Sequence, residues 1–202
     1  MKPEEFLSME EFKMLLQNTK DNRDRCILLL LGAVGLRAGE MCQIKMSDID
    51  FEKGYLHIPA SNAKYKKSRT VVLLPVVLDV LHAQTSDSIW LIPSRCGDHI
   101  TPRHVQHILD AIATRAGLQE TTYKDKAGKN RQRIHPHLLR HSFAIWSLDS
   151  GVPIGDLQSQ LGHASLATTG IYLKASPNHR REAYLRSGLS DCLAGKKNLD
   201  VQ

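Results

Sequence analysis

The sequence predicts a mainly α-helical protein with a small antiparallel β-sheet set into it, an α+β fold. Two observations predict this. Apolar residues recur at helical spacing both before residue 48 and after Pro75. Between those stretches, "DIDFEKGYLHIPA" and "RTVVLLP" are rich in Ile, Val and Tyr and separated by turn residues, which is the pattern of strands. At 202 residues the chain is long enough for one substantial domain with a real core. Its 42% hydrophobic and 24% charged content is that of an ordinary globular protein.

The elements follow in chain order. In "LSMEEFKMLLQNT", Ser8 is a plausible N-cap and Glu11 completes a capping box. Phe12, Leu15 and Leu16 then share a helical face. A second helix runs over about 22–34 and breaks at Gly35, and a third begins near Ala38. The strand segments come next, with "SNAKYKKS" between them as a polar, basic hairpin tip. In "TPRHVQHILDAIATRAG", Thr101 caps a helix, Pro102 takes its first position and Gly117 ends it. Residues 120–133, "ETTYKDKAGKNRQR", hold five basic residues and read as a surface loop, either merely solvated or contacting phosphates. Helices then cover 137–150, 153–161 and 165–174, and the tail from about 182 turns polar.

Composition narrows the function classes. The longest apolar run, "CILLLLGAV", is too short to span a bilayer and reads as a buried helix. The N-terminus "MKPEEFLSMEEF" is acidic and polar, unlike a signal peptide. Cys26, Cys42, Cys96 and Cys192 form no C-x-x-C pair, as expected of reduced thiols in the cytoplasm. The net charge of +6 points to a polyanionic partner, or to solubility alone.

Three stretches carry the chemistry. In "GLRAGE", Arg37 falls at a helix start, a place suited to an anion, and Glu40 lies one turn on where it can orient the guanidinium. In "HPHLLRHSFA", His137 and Arg140 share a helix face. Arginine offers a planar fork of donors for two phosphate oxygens, and histidine exchanges a proton near neutral pH. His137 and His141 could instead pair on a metal, but no Glu as in H-E-x-x-H and no third ligand stands nearby, so no metal is expected. His135, before Pro136, lies outside the helix, and His141 packs or caps locally. In "LGHASLATTGIYLKA", Gly162 allows a tight turn, His163 follows it, and Tyr172 sits on the helix beyond.

In this order, with the lysine hairpin "AKYKKSRTVVLLP" between the first two, these segments closely resemble the tyrosine recombinase (phage integrase) family. That family's signature is Arg, Lys, His-x-x-Arg, His and Tyr. The resemblance covers about residues 6–185 and implies the DNA breaking-rejoining enzyme fold. By position it makes Arg37, Arg140, His137 and His163 catalytic and Tyr172 the nucleophile. Lys64 best fits the hairpin lysine, with Lys66 and Lys67 as substitutes. The two basic segments, the hairpin and the 124–133 stretch, are expected to contact DNA through Lys66, Lys67, Arg69, Lys124, Lys126, Lys129, Arg131 and Arg133. Residues 1–182 would be the catalytic domain and 183–202 a tail, either exchanged between protomers or a frayed end. The family's usual separate N-terminal DNA-binding domain has no counterpart here, as in the short fimbrial inversion recombinases or in a shortened chain.

The implied reaction is cleavage and rejoining of DNA strands at specific sites through a 3′-phosphotyrosine, without metal, cofactor or ATP. Two arginines can neutralise the nonbridging oxygens of the phosphodiester in the transition state. Tyrosine attack splits one hard step into two reversible ones, and a mobile lysine can protonate the leaving 5′-oxygen. The expected partner is double-stranded DNA, with assembly into a homo-oligomer, a tetramer, on it, in the cytoplasm at the nucleoid and away from any membrane. The solution state off DNA stays open. Two other readings fit parts of the sequence. "VPIGDLQSQLGHASLATTGIY" has the look of a helix-turn-helix, as in a non-enzymatic DNA-binding regulator. A topoisomerase IB-like relaxing enzyme would use similar chemistry without exchanging strands.

Overall fold

The computed structural model describes residues 6–62, 67–84, 88–119, 123–124 and 130–163, with the backbone alone at 123–124 and 130–131. Helix α1 (Met9–Gln17) starts as its sequence dictates. Ser8 Oγ accepts from the Glu11 N–H at 3.1 Å, and a Glu11 carboxylate oxygen accepts from the Ser8 N–H at 2.9 Å. Helix α2 (Asn22–Gly32) is capped by Asp21 and is buried on every side from Cys26 to Gly32. A helix apolar all round belongs in the middle of a core, and α2 packs there against α1, α4 (Pro75–His82), α5 (Pro102–Arg115) and α6 (Pro136–Asp149). Thr101, Pro102 and Gly117 (φ +68°) bound α5 as predicted.

The sheet is a three-stranded antiparallel meander of β1 (Ile49–Asp50), β2 (Tyr55–Ile58) and β3 (Arg69–Val72), in that spatial order. Leu56, Ile58 and Val71 face the core, while Tyr55, His57, Thr70 and Val72 face outward. The stretch "DIDFEKGYLHIPA" thus holds two strands. Asp50 Oδ1 accepts from the Lys53 N–H at 2.9 Å, and this side-chain turn reverses the chain between them. Two short stretches inside 120–133, expected as a surface loop, are strands. Tyr123–Lys124 (β4) and Asn130–Arg131 (β5) pair antiparallel, which satisfies backbone groups without apolar side chains. The helix expected over 165–174 lies outside the described residues.

Two contacts position the site. The Leu7 N–H donates to Ser142 Oγ at 2.8 Å and the Trp146 indole N–H to the Leu7 carbonyl at 3.0 Å, fastening the chain ahead of α1 to the back of α6. Helix α7 (Ile154–Leu161) docks on the open edge of β3 through Gln160. Its side-chain amide accepts from the Val72 N–H at 2.9 Å and donates to the Val72 carbonyl at 3.1 Å, as another strand would. Among the described residues, no helix is long and apolar enough to cross a membrane.

Candidate active site

The site forms where the turn after α2, the start of β3, the inner face of α6 and the end of α7 meet. Gly35 (φ +77°) makes the turn after α2. A Cβ there would stand 2.4 Å from the Phe143 ring, so only glycine lets the turn close against α6. The turn delivers Arg37 as the residue before α3 (Ala38–Cys42). Arg37 NH1 donates to Glu40 Oε1 at 2.9 Å, and the Arg37 backbone N–H donates to Glu40 Oε2 at 3.2 Å. Glu40 is 2% exposed. Burial alone would raise its carboxyl, but hydrogen bonds and charge from Arg69 and Arg37 hold it below the usual carboxylate range.

Arg140, 3% exposed, projects from α6 into the same place. Its NH1 donates to the Gly35 carbonyl, and its NH2 donates to the Leu161 carbonyl at 2.7 Å and contacts His163 Nε2 at 3.1 Å. A guanidinium has only donors, so Nε2 must present its lone pair and the proton of a neutral imidazole sits on Nδ1. The electrostatics agree. Burial, then the charges of Arg140, Arg37 and Arg69, then His137, push His163 down to about 4. Gly162 (φ +64°) supplies the left-handed end of α7 that turns the chain into His163. His137 stands exposed one turn before Arg140, its ring parallel to that of His135 at 6.5 Å. His135 is the N-cap of α6, its Nδ1 accepting from the Leu138 N–H at 3.1 Å.

The structure therefore brings together Arg37, Glu40, Arg140, His163 and, at the rim, His137. Two residues expected to contact DNA have carboxylate partners within the protein. Arg69, 11% exposed, turns inward and forks both Glu40 oxygens at 3.0 and 2.8 Å. The signal was available: on β3, Arg69 lies two residues from buried Val71 and so shares its inward face. Arg133 closes an ion pair with Glu11 of α1 at 2.6 Å, a contact no local pattern encodes. Lys67 is exposed beside the hairpin. Lys64, Lys66, Lys126, Lys129 and Tyr172 lie outside the described residues, as do the side chains of Lys124 and Arg131. Burial pushes the Cys26 and Cys42 thiols up to about 12, which leaves them inert.

Three guanidinium groups against one carboxylate give the pocket a net charge of +2 around a neutral imidazole. Fold and site together define a helical protein with a cluster of guanidinium donors, groups whose planar fork suits a doubly oxygenated anion. The chain belongs to the phage integrase (tyrosine recombinase) family, whose pattern it matches over residues 5–179. It is 38% identical over 198 residues to the tyrosine recombinase XerA of Pyrococcus furiosus, covering 94% of this chain and 64% of that protein. The chain thus spans a little under two thirds of that relative's length. Among solved structures, the XerA recombinase superposes with a TM-score of 0.73 at 28% identity, covering 90% of this chain and 64% of that one. The XerH site-specific recombinase bound to its difH substrate, a pre-cleavage complex, gives a TM-score of 0.67 at 25% identity, covering 85% and 51%.

Proposed function

We propose that this chain is the catalytic domain, over residues 1–182, of a site-specific recombinase that breaks and rejoins double-stranded DNA through a 3′-phosphotyrosine. The observation that carries the reading is the pocket in which Arg37 and Arg140 converge beside a neutral His163. Leu161 O accepts from both arginines, at 3.5 Å from Arg37 and 2.7 Å from Arg140, so one backbone oxygen holds the two guanidinium groups side by side. A phosphodiester presents nonbridging oxygens to such donors, and the extra charge of its pentacoordinate transition state is what they stabilise. His163 adds an N–H without adding a further charge. In the proposed reaction the Tyr172 hydroxyl gives up its proton, with the histidines assisting, and its oxygen bonds to phosphorus as the bond from phosphorus to the 5′-oxygen breaks; Lys64 protonates the departing 5′-oxygen. Reversal of the same steps rejoins the strand. Assembly as a tetramer on DNA, with residues 183–202 exchanged between protomers, completes the reading. A DNA-binding regulator needs neither an Arg–Glu–Arg cluster on a buried carboxylate nor a second arginine held beside it, and is the weaker account.

The test uses duplexes tiled across the DNA that flanks the chain's own gene. Wild-type protein is expected to form a denaturation-resistant adduct with one of them, in EDTA as well as in magnesium. Tyr172→Phe keeps the ring and loses the nucleophilic oxygen, so it should bind that duplex and form no adduct. Adducts from the Phe variant would falsify the assignment of Tyr172, and a wild type that forms none on any duplex would end the recombinase reading.

A further inference from the structure

Arg69 lies outside the set of residues that the proposed chemistry requires, yet it touches three pieces that carry them. It opens β3, the strand that leads out of the lysine hairpin. Its guanidinium forks Glu40, the partner of Arg37. Its Nε donates to the Gln160 carbonyl at 3.3 Å, at the end of α7 just before the turn to His163. Gly162 makes room for it, since a Cβ there would stand 2.8 Å from Arg69 Cδ.

The charges give this arrangement a purpose. An Arg37–Glu40 pair by itself is a neutral unit and a poor phosphate receptor. Arg69 engages both oxygens of the same carboxylate, so the trio keeps one positive charge, two guanidinium groups less one carboxylate. We infer that Arg69 is a positioning residue of the phosphate pocket: it saturates Glu40 so that the charge of Arg37 is left to the phosphate, and it grips Gln160 to fix the turn that carries His163. The inference rests on the recombinase reading proposed above.

The experiment compares wild type, Arg69→Gln and the double variant Arg69→Gln/Glu40→Gln on the duplex that wild type captures. Each is also given that duplex with a methylphosphonate at the scissile position, which carries no charge and so demands fewer cations. Arg69→Gln lowers the pocket to +1, two guanidinium groups less one carboxylate. The double variant restores +2, two guanidinium groups and no carboxylate. Arg69→Gln is expected to slow adduct formation roughly 10–100-fold with DNA binding nearly unchanged. The double variant should recover about tenfold of that loss, as coupled sites do. On the methylphosphonate the Arg69→Gln defect should shrink to about threefold, because less charge needs stabilising. A structural role alone slows both substrates equally and is not relieved by Glu40→Gln, and that pattern overturns the inference. Where circular dichroism shows Arg69→Gln unfolded, Arg69→Lys takes its place. Lysine keeps the charge but cannot fork two oxygens, so it should lag on the phosphodiester and match wild type on the methylphosphonate. An equal lag on both overturns the inference. Where wild type forms no adduct at all, the recombinase reading fails, and titration with inorganic phosphate followed by 31P line broadening judges Arg69 separately. Weaker phosphate binding by Arg69→Gln, recovered in the double variant, supports its role in the pocket, and unchanged binding overturns it.

Discussion

Burial and the surrounding guanidinium groups push His163 down to about 4, and the effect has a thermodynamic signature. The unfolded imidazole takes a proton below its ordinary value near 6.5, while the folded one refuses it until about 4. Between those values the unfolded chain binds more protons, so this contribution to stability is complete above 6.5 and drains away as pH falls toward 4. The gap in melting temperature between wild type and His163→Gln should therefore narrow from about pH 7 to about pH 4.5; a constant gap sinks the assignment of a neutral His163. Gly35→Ala should destabilise by about 1–3 kcal/mol in urea melts, because alanine is strained at positive φ and its Cβ meets Phe143; a midpoint like wild type's would show that the turn relaxes. Much at this scale was legible. The spacing of Arg37 to Glu40 and of His137 to Arg140 already placed each pair on one face. The pairing of Glu40 with Arg69 was legible in half: strand alternation gives the inward direction, but the identity of the partner is tertiary. The Arg133–Glu11 pair joins residues more than a hundred positions apart, so no local pattern encodes it.

The helices were the most legible elements, because caps and breakers are local chemistry: Ser8 with Glu11, Thr101 with Pro102, and Gly117 all act where the sequence places them. The strands were less so. Short strands acquire their pairing from partners elsewhere in the chain, which is why β1 and β2 merged into one segment and β4 and β5 went unseen. The docking of α7 was invisible, since it depends on Gln160 imitating a strand backbone against Val72. Gln160→Ala should cost about 1 kcal/mol for the lost hydrogen bonds. Its specific mark should be faster hydrogen exchange at the Val72 amide, together with slower adduct formation as the His163 turn loosens. Unchanged exchange at Val72 would show that α7 is held by its apolar face alone.

Across the whole molecule, the net charge of +6 forecasts DNA binding that weakens with salt. Each phosphate contact contributes about −0.9 to the slope of log K against log salt. Changing Lys124, Lys126, Lys129 and Arg131 together to Gln should flatten that slope if this segment lies on DNA, and an unchanged slope removes it from the interface. Arg133→Gln should leave the slope alone and lower the melting temperature instead, because its charge is spent on Glu11. The same view gives a practical meaning to Leu7, whose N–H and carbonyl are both held by α6, the helix that supplies Arg140. Proteolytic trimming past Leu7 would withdraw two bolts from the back of that helix. A cut there would therefore loosen the seat of an arginine more than a hundred residues away in the chain.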